Sequence, residues 1–540
     1  MQRTMIYLWH NLRKALQLLL KFKKCNKNMA DRFIEQSKEI ANNFIQNIVF
    51  IDDKAYKNDM TNNAFSALDV SNVFAQSGKI CAVYAPKSIS DVNSYNTILN
   101  KADVVILDWY LDIEKEENQV EDPDADADND DPRGEFTLKL ISDLLSQTGM
   151  LKLLIVYTGE TDLFEITNSI YQKVDQHSFH KGDCVIQSLN SKILVRAKKQ
   201  NSETQFAHNP ELKDKIVSYE SLPTLIVEEF ADMTNGLLSN FALSSISAIR
   251  NNTSRMLSVF SPKLDPAYLG HKILLENTFE SKQLLIKLFG EAISELLETT
   301  DIDTKDWVDN WIENRITDET ISINGVSIGK SKDLLKKMFS SEQPRLKDKY
   351  TEASGKDMSN KDEGKLQSHT IELFAYDGID VNKSNVDFAI LTHHKNIFQP
   401  AIGAPILTLG TVIKSVDKYY VCIQQRCDSV RIKEERRFLF LPLEEKGEYP
   451  LIVNNELKLF PNKSSFAIKT VKFKPKEGAT IIQASKKEDK YVFYSSYGET
   501  YEWVVDLKEM QAQRILNSYC AQLSRVGLNE SEWLRLIAKQ

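Results

Sequence analysis

Four short apolar runs in this chain each stop at side chains that carry or bond charge. "NIVFIDD" ends in Asp52 and Asp53, "DVVILD" in Asp108, "KLLIVYT" in Thr158 and "KILVRAK" in Lys198. Burying an unpaired carboxylate is costly, so each should sit where its run leaves the core and something compensates it. Three carboxylates in one place repel and raise one another's pKa unless a cation joins them. Mg²⁺ fits that need, because it takes one or two carboxylates together with water and phosphate oxygens. Lys198 would add a mobile positive charge, and Thr158 a hydroxyl able to bond a phosphoryl oxygen. A carboxylate so surrounded is equipped for phosphoryl transfer. The plainer alternative for each group is a solvated strand cap.

These positions converge only if the runs are neighbouring strands. With "KICAVY" there are five buried-type runs, separated by amphipathic segments such as "FTLKLISDLLSQ". That alternation predicts an α/β doubly wound sheet of five parallel strands, whose ligands gather at the carboxyl ends. The domain is expected over 47–205, with an acidic insertion at 113–133 between its third strand and the next helix. Residues 206–340 read as helical, 341–369 as a polar, lysine-rich linker, and 370–505 as β-rich, a small barrel or curled sheet. A terminal helix is expected over 506–540. The first 46 residues begin with a basic, apolar stretch too interrupted to span a membrane. It reads either as an amphipathic surface helix or as an extension preceding a start at Met29, and the second is the expectation; a membrane role follows only from the first.

The chain has 540 residues, 42% hydrophobic and 27% charged, with a net charge of -8. This is globular composition, and the charge argues against a general nucleic-acid binder. Six scattered cysteines form no disulfide framework, which points to a reducing cytoplasm. Cys422 and Cys427, with His393 and His394 upstream, make a poor zinc signature. The stretch Asp124 to Glu135 places carboxylates as an EF-hand loop does, but Asn129 replaces the turn glycine and Pro132 intrudes, so a solvated acidic loop is expected. Gly329-Lys330-Ser331 has its upstream glycine four rather than the five residues before Gly329 that a P-loop needs, and it lies outside a βαβ unit. His271 reads as an ordinary helix histidine rather than a phosphate relay.

The five groups at the strand ends resemble those of a receiver domain of the two-component signalling family. The resemblance implies that Asp52 and Asp53 hold Mg²⁺ with the backbone carbonyl of Tyr110, that Asp108 is the phosphoacceptor and itself a metal ligand, and that Thr158 and Lys198 read out the phosphate. It also implies a sensor histidine kinase as donor and no enzyme activity beyond self-catalysed transfer to Asp108. The chain departs from the family pattern in its acidic insertion, in Lys199 where a proline is usual, and in Val195 where many receivers keep an aromatic switch residue. Either Lys198 or Lys199 could therefore be the functional lysine. The larger layout, with "LGTVIKSVDKYYVCIQQRCDSVRI" late in the chain, resembles response-receiver proteins of bacterial anti-phage operons, most closely the phosphate-buffering receivers of Detocs-type systems. In such an operon a receiver-bearing effector would be a further partner. Two alternatives stay open: a phosphorylation-controlled output that binds a partner or nucleic acid, and an effector enzyme whose active domain is the barrel.

Overall fold

A strand buried on both faces reads as an unbroken apolar run, because alternate side chains point to opposite sides. In a computed structural model the runs become β1 (Asn47–Ile51), β2 (Ile80–Tyr84), β3 (Val104–Leu107) and β4 (Lys152–Thr158), followed by β5 (His180–Gly182), β6 (Val185–Gln187), β7 (Ser191–Lys198) and β8 (Ile216–Val217). The structure describes residues 32–56, 66–113, 134–146, 151–199, 210–274, 278–300, 305–395, 403–447, 450–454, 456–462, 464 and 467–523. Met29, nearly all of the acidic insertion and the far end of the terminal helix lie outside them. Among the described residues no helix is long and apolar enough to cross a membrane.

The five runs lie parallel in the order β2-β1-β3-β4-β7, but the sheet is larger than five strands. It has eight, because the hairpin β5–β6 adds antiparallel to β7 and β8 pairs alongside. The long segment joining Thr158 to Lys198 leaves room for such a hairpin, but three-residue strands carry too little alternation to mark its position.

One face of this sheet presents Val49, Ile51, Val105, Leu107, Leu154 and Val156 to three helices, α2 (Ile89–Lys101), α3 (Glu135–Leu145) and α4 (Leu163–Lys173). The other presents Ile48, Phe50, Val104, Ile106, Leu153 and Ile155 to the helical stretch 32–44 and to α1 (Ala67–Gln76). Two further helices complete that second face: α5 (Leu222–Met233), through Leu222, Ile226 and Phe230, and α6 (Leu237–Asn251), through Leu243. Trp307, in the helix Lys305–Arg315, joins the same core. Parts of the region read as a helical domain at 206–340 therefore build the core of this α/β sheet. Arg250 fastens α6 to the edge opposite the strand ends, where its guanidinium meets Asp103 at 2.8 Å. Asp103 also accepts from the backbone N–H groups of Gln46 and Asn47.

The chain divides into two compact units, residues 1–259 with 291–315, and residues 260–290 with 316–540. In the second, Glu319–Ile323 and Val326–Lys330 form a hairpin whose turn is Asn324-Gly325, both at positive φ. This is the turn an Asn-Gly pair favours. Lys330 is buried and bonds Glu319 and the Ala375 carbonyl, while Ser331 caps the next helix. The Gly-Lys-Ser triplet is thus a hairpin end and a helix cap. In the stretch read as a linker, the structure has helices Leu346–Ser354 and Asn360–Gln367. Gly355 at positive φ closes the first and the Ser359 hydroxyl caps the second, while Arg345 pairs with buried Glu363. Local caps and one ion pair order a stretch with few apolar residues.

The β-rich part is a nine-stranded antiparallel sheet running from Thr411 to Asp506. One of its cores holds Phe438, Phe440, Phe473 and Tyr501, and the helix Glu509–Leu523 packs into the other through Ala512, Ile515 and Tyr519. Among the described residues, the approach toward the expected barrel closure is one isolated bridge, Phe473 to Ser495, with Ser496 N–H donating to the Lys472 carbonyl. Cys422 points into this core, where burial pushes its thiol up to about 12, while Cys427 is exposed. The two do not form a thiolate pair.

Candidate functional site

Parallel registration brings the carboxyl ends of β1, β3, β4 and β7 to one edge of the sheet. Asp52 and Asp53 follow β1 directly, and Asp108 follows β3. All three are buried, and each offers a carboxylate oxygen within 4.8 Å of the others. Among the described residues this is the one group of three or more His, Cys, Asp or Glu side chains arranged to hold a metal ion.

The backbone fixes these carboxylates before any ligand arrives. Asp108 takes the Trp109 N–H on Oδ1 at 2.8 Å, and its own N–H donates to the Ile51 carbonyl at 2.8 Å. Asp52 takes the Lys54 N–H on Oδ1 at 2.8 Å. Lys198, at the end of β7, reaches across the edge and places Nζ 2.7 Å from Asp52 Oδ2 and 2.7 Å from Asp108 Oδ2. Its ammonium also lies 5.8 Å from the centroid of the Tyr157 ring. Lys199 is exposed. Of the two lysines left open by the sequence, Lys198 is the one in the cluster.

The electrostatics are unbalanced. Burial raises the Asp108 pKa to about 6, and the neighbouring Asp52 and Asp53 charges push the same way, while Lys198 pulls it down without prevailing. Burial pulls the Lys198 ammonium down, yet the charges of Asp108 and Asp52 outweigh it and hold its pKa above the ordinary lysine value. Among the described residues the cluster sets three buried carboxylates beside the one ammonium of Lys198, a negative site that a divalent cation suits. The donor set is all oxygen, as a hard cation requires. The residues therefore fit a hard divalent cation.

Thr158 closes β4 on the same edge and is almost fully buried. Its hydroxyl accepts from the Glu160 N–H at 3.1 Å rather than joining the carboxylates. Tyr110 is half-buried, with Lys54 Nζ 6.0 Å from its ring centroid. Val195 lies in the core facing α3 and α4, with no aromatic ring in its place.

Sequence reasoning missed three supporting residues. Thr137 on α3 donates its hydroxyl to the Asp108 carbonyl at 2.7 Å, tying that helix to the acceptor loop. Trp109 is buried, and its indole lies so close to Gly134 that any Cβ there would fall inside the ring. Tyr157 sends its hydroxyl to the Val217 carbonyl at 2.8 Å. A tryptophan directly after an acceptor aspartate, with a glycine opening the next helix, was the available clue.

Residues 44–203 match the family model described as the response receiver domain. The match, close to the 47–205 expected, takes in Asp52, Asp53, Asp108, Thr158 and Lys198 and covers under a third of the chain. This part of the protein is a receiver domain, a phosphoacceptor module with an acidic site suited to a metal. No curated protein and no solved structure matches the chain.

Proposed function

We propose that the protein accepts a phosphoryl group on Asp108 from the phosphohistidine of a sensor histidine kinase. The observation that carries this reading is Lys198 held 2.7 Å from both Asp108 and Asp52, with Asp53 in the same carboxylate group at the strand ends. An Asp108 carboxylate oxygen attacks phosphorus; the new P–O bond forms as the P–N bond breaks, and the departing imidazole nitrogen takes a proton. Asp52, Asp53, Asp108 and the Tyr110 carbonyl would hold Mg²⁺, which supplies neutralising charge for the phosphoryl oxygens. Lys198 exchanges its contact with Asp108 for one with the phosphoryl group, and Thr158 turns its hydroxyl from the Glu160 amide to a second phosphoryl oxygen.

At the level of the cell, we read the protein as a cytoplasmic buffer or regulator of such signalling in bacterial anti-phage defence. A receiver-bearing effector of the same operon would share the kinase. This rests on the resemblance of the chain's layout to the phosphate-buffering receivers of Detocs-type systems. A second reading, a phosphorylation-controlled output, draws support from the packing of α5 and α6 on the receiver sheet, which joins residues beyond 205 to the domain that would change state.

Intact-mass measurement after treatment with acetyl phosphate and Mg²⁺ tests the central claim. One phosphoryl addition, absent in Asp108→Asn, is expected. Addition that persists in Asp108→Asn, or none from either acetyl phosphate or a cognate kinase, overturns it.

A further inference from the structure

A cavity of about 470 Å³ opens in the β-rich unit, beside the helix Glu509–Leu523. That is the size of a small-molecule site. The helix contributes Arg514, Ile515 and Ser518, whose spacing puts them on one face. The sheet contributes Leu441, Leu451 and Ile452, and the end of the helix Val381–His393 contributes His393. Hydrogen bonds pin these walls to one another. His394 Nε2 donates to the Ile452 carbonyl at 2.8 Å, and the Lys508 N–H, at the foot of the last helix, donates to the His393 carbonyl at 2.7 Å. The walls are therefore regular elements already held in place.

The lining is divided by chemistry. Leu441, Leu451, Ile452 and Ile515 are apolar, while Arg514 and His393 bring a guanidinium and an imidazole. Among the described residues, none that lines the cavity carries a carboxylate. His393 Nδ1 is buried with no hydrogen-bond partner among those residues, although a polar atom so placed is normally met by one. Burial holds the His393 pKa below its ordinary value, and the charges that act on the ring, from His394, Arg514 and Lys508, all push the same way. The field at this end of the cavity is positive.

We propose that the cavity binds a small organic anion, with its apolar body against Leu441, Leu451, Ile452 and Ile515 and its oxyanion head at Arg514 and His393. A guanidinium matches a carboxylate or a phosphate through paired N–H groups, and a neutral imidazole adds one further donor. A cationic ligand would meet like charge there, and a wholly polar one would leave the apolar wall unused. The site lies in the unit that does not contain Asp108, so it stands independently of the phosphoacceptor reading.

Isothermal titration of the full chain with octanoate, octyl phosphate and 1-octanol tests the proposal. At least one of the two anions is expected to bind at one per chain, at least about tenfold more tightly than octanol, and the tighter of the two identifies the head group. Arg514→Gln should weaken that anion at least about tenfold and leave octanol unaffected. Ser518→Trp fills the cavity from a half-buried helix position and should abolish binding of all three. Thermal melts show which variants are folded, and the comparison of anions with octanol on the wild type decides the matter where a variant is not. Failure of both anions to bind the wild type overturns the proposal, as does octanol binding as tightly as either. Anion binding that survives unchanged in folded Ser518→Trp, or in folded Arg514→Gln, overturns it equally.

Discussion

Asp108 is made reactive by the same burial that makes it expensive. A carboxylate whose folded pKa lies at about 6, above that of the unfolded chain, contributes stability below the unfolded value and loses it as pH rises through 6. In Mg²⁺-free protein, Asp108→Asn should therefore be more stable than wild type at about pH 8, by about 1–3 kcal/mol, with the gap closing toward about pH 5. Urea unfolding of both proteins across that range checks it, and a less stable Asn variant at the alkaline end refutes it. The lysines divide sharply at this scale. Lys198→Ala strips the cation from two buried carboxylates and should cost about 3 kcal/mol in Mg²⁺-free protein. Lys199→Ala, at an exposed position, should stay within about 0.5 kcal/mol. The same melts measure both, and equal effects would mean the wrong lysine holds the cluster.

Among the elements, the loop after β3 and the start of α3 are fitted to each other with no spare volume. Gly134→Ala forces its methyl into the Trp109 indole and so shifts the residue next to the acceptor. Overpacking of this kind costs about 1–3 kcal/mol, and phosphorylation should slow along with the loss of stability. Gly134→Ala combined with Trp109→Leu should recover part of both, as melting and intact-mass time courses would show. Phe230→Ala on α5 asks whether that helix belongs to the receiver: a loss of about 3–5 kcal/mol is expected if it is core, and almost none if it is an appended helix. These elements also mark where the sequence was readable. The five central runs were legible because burial on both faces erases the alternation that would hide them, and their terminal Asp52, Asp53, Asp108 and Lys198 came with them. The docking of α5 was not legible, because an amphipathic helix shows that it has a buried face without showing what covers it. Leu346–Ser354 and Asn360–Gln367 were masked by polar composition, since their order comes from caps and one ion pair rather than from an apolar stripe.

Across the whole molecule, the acidic site belongs entirely to one of the two compact units, and this has a thermodynamic consequence. A ligand that binds only the folded form stabilises the body containing its site by RT ln(1 + [L]/Kd), about 2.7 kcal/mol at a hundredfold excess over Kd. Mg²⁺ should thus raise the calorimetric transition of the receiver-bearing unit and leave that of the β-rich unit in place. Asp53→Asn removes one of the three carboxylates while Lys198 keeps Asp52 and Asp108, so it should abolish the shift. Ca²⁺ and Na⁺ at matched ionic strength separate a bound divalent ion from general screening. If Mg²⁺ moved both transitions together, the two units would be unfolding as one body, and phosphorylation at Asp108 would then have a direct energetic route into residues 316–540. If it moved neither, the repulsion among the carboxylates at the strand ends would have to be relieved without a metal, in part by protonation of Asp108, and the metal-assisted reading of the site would fall.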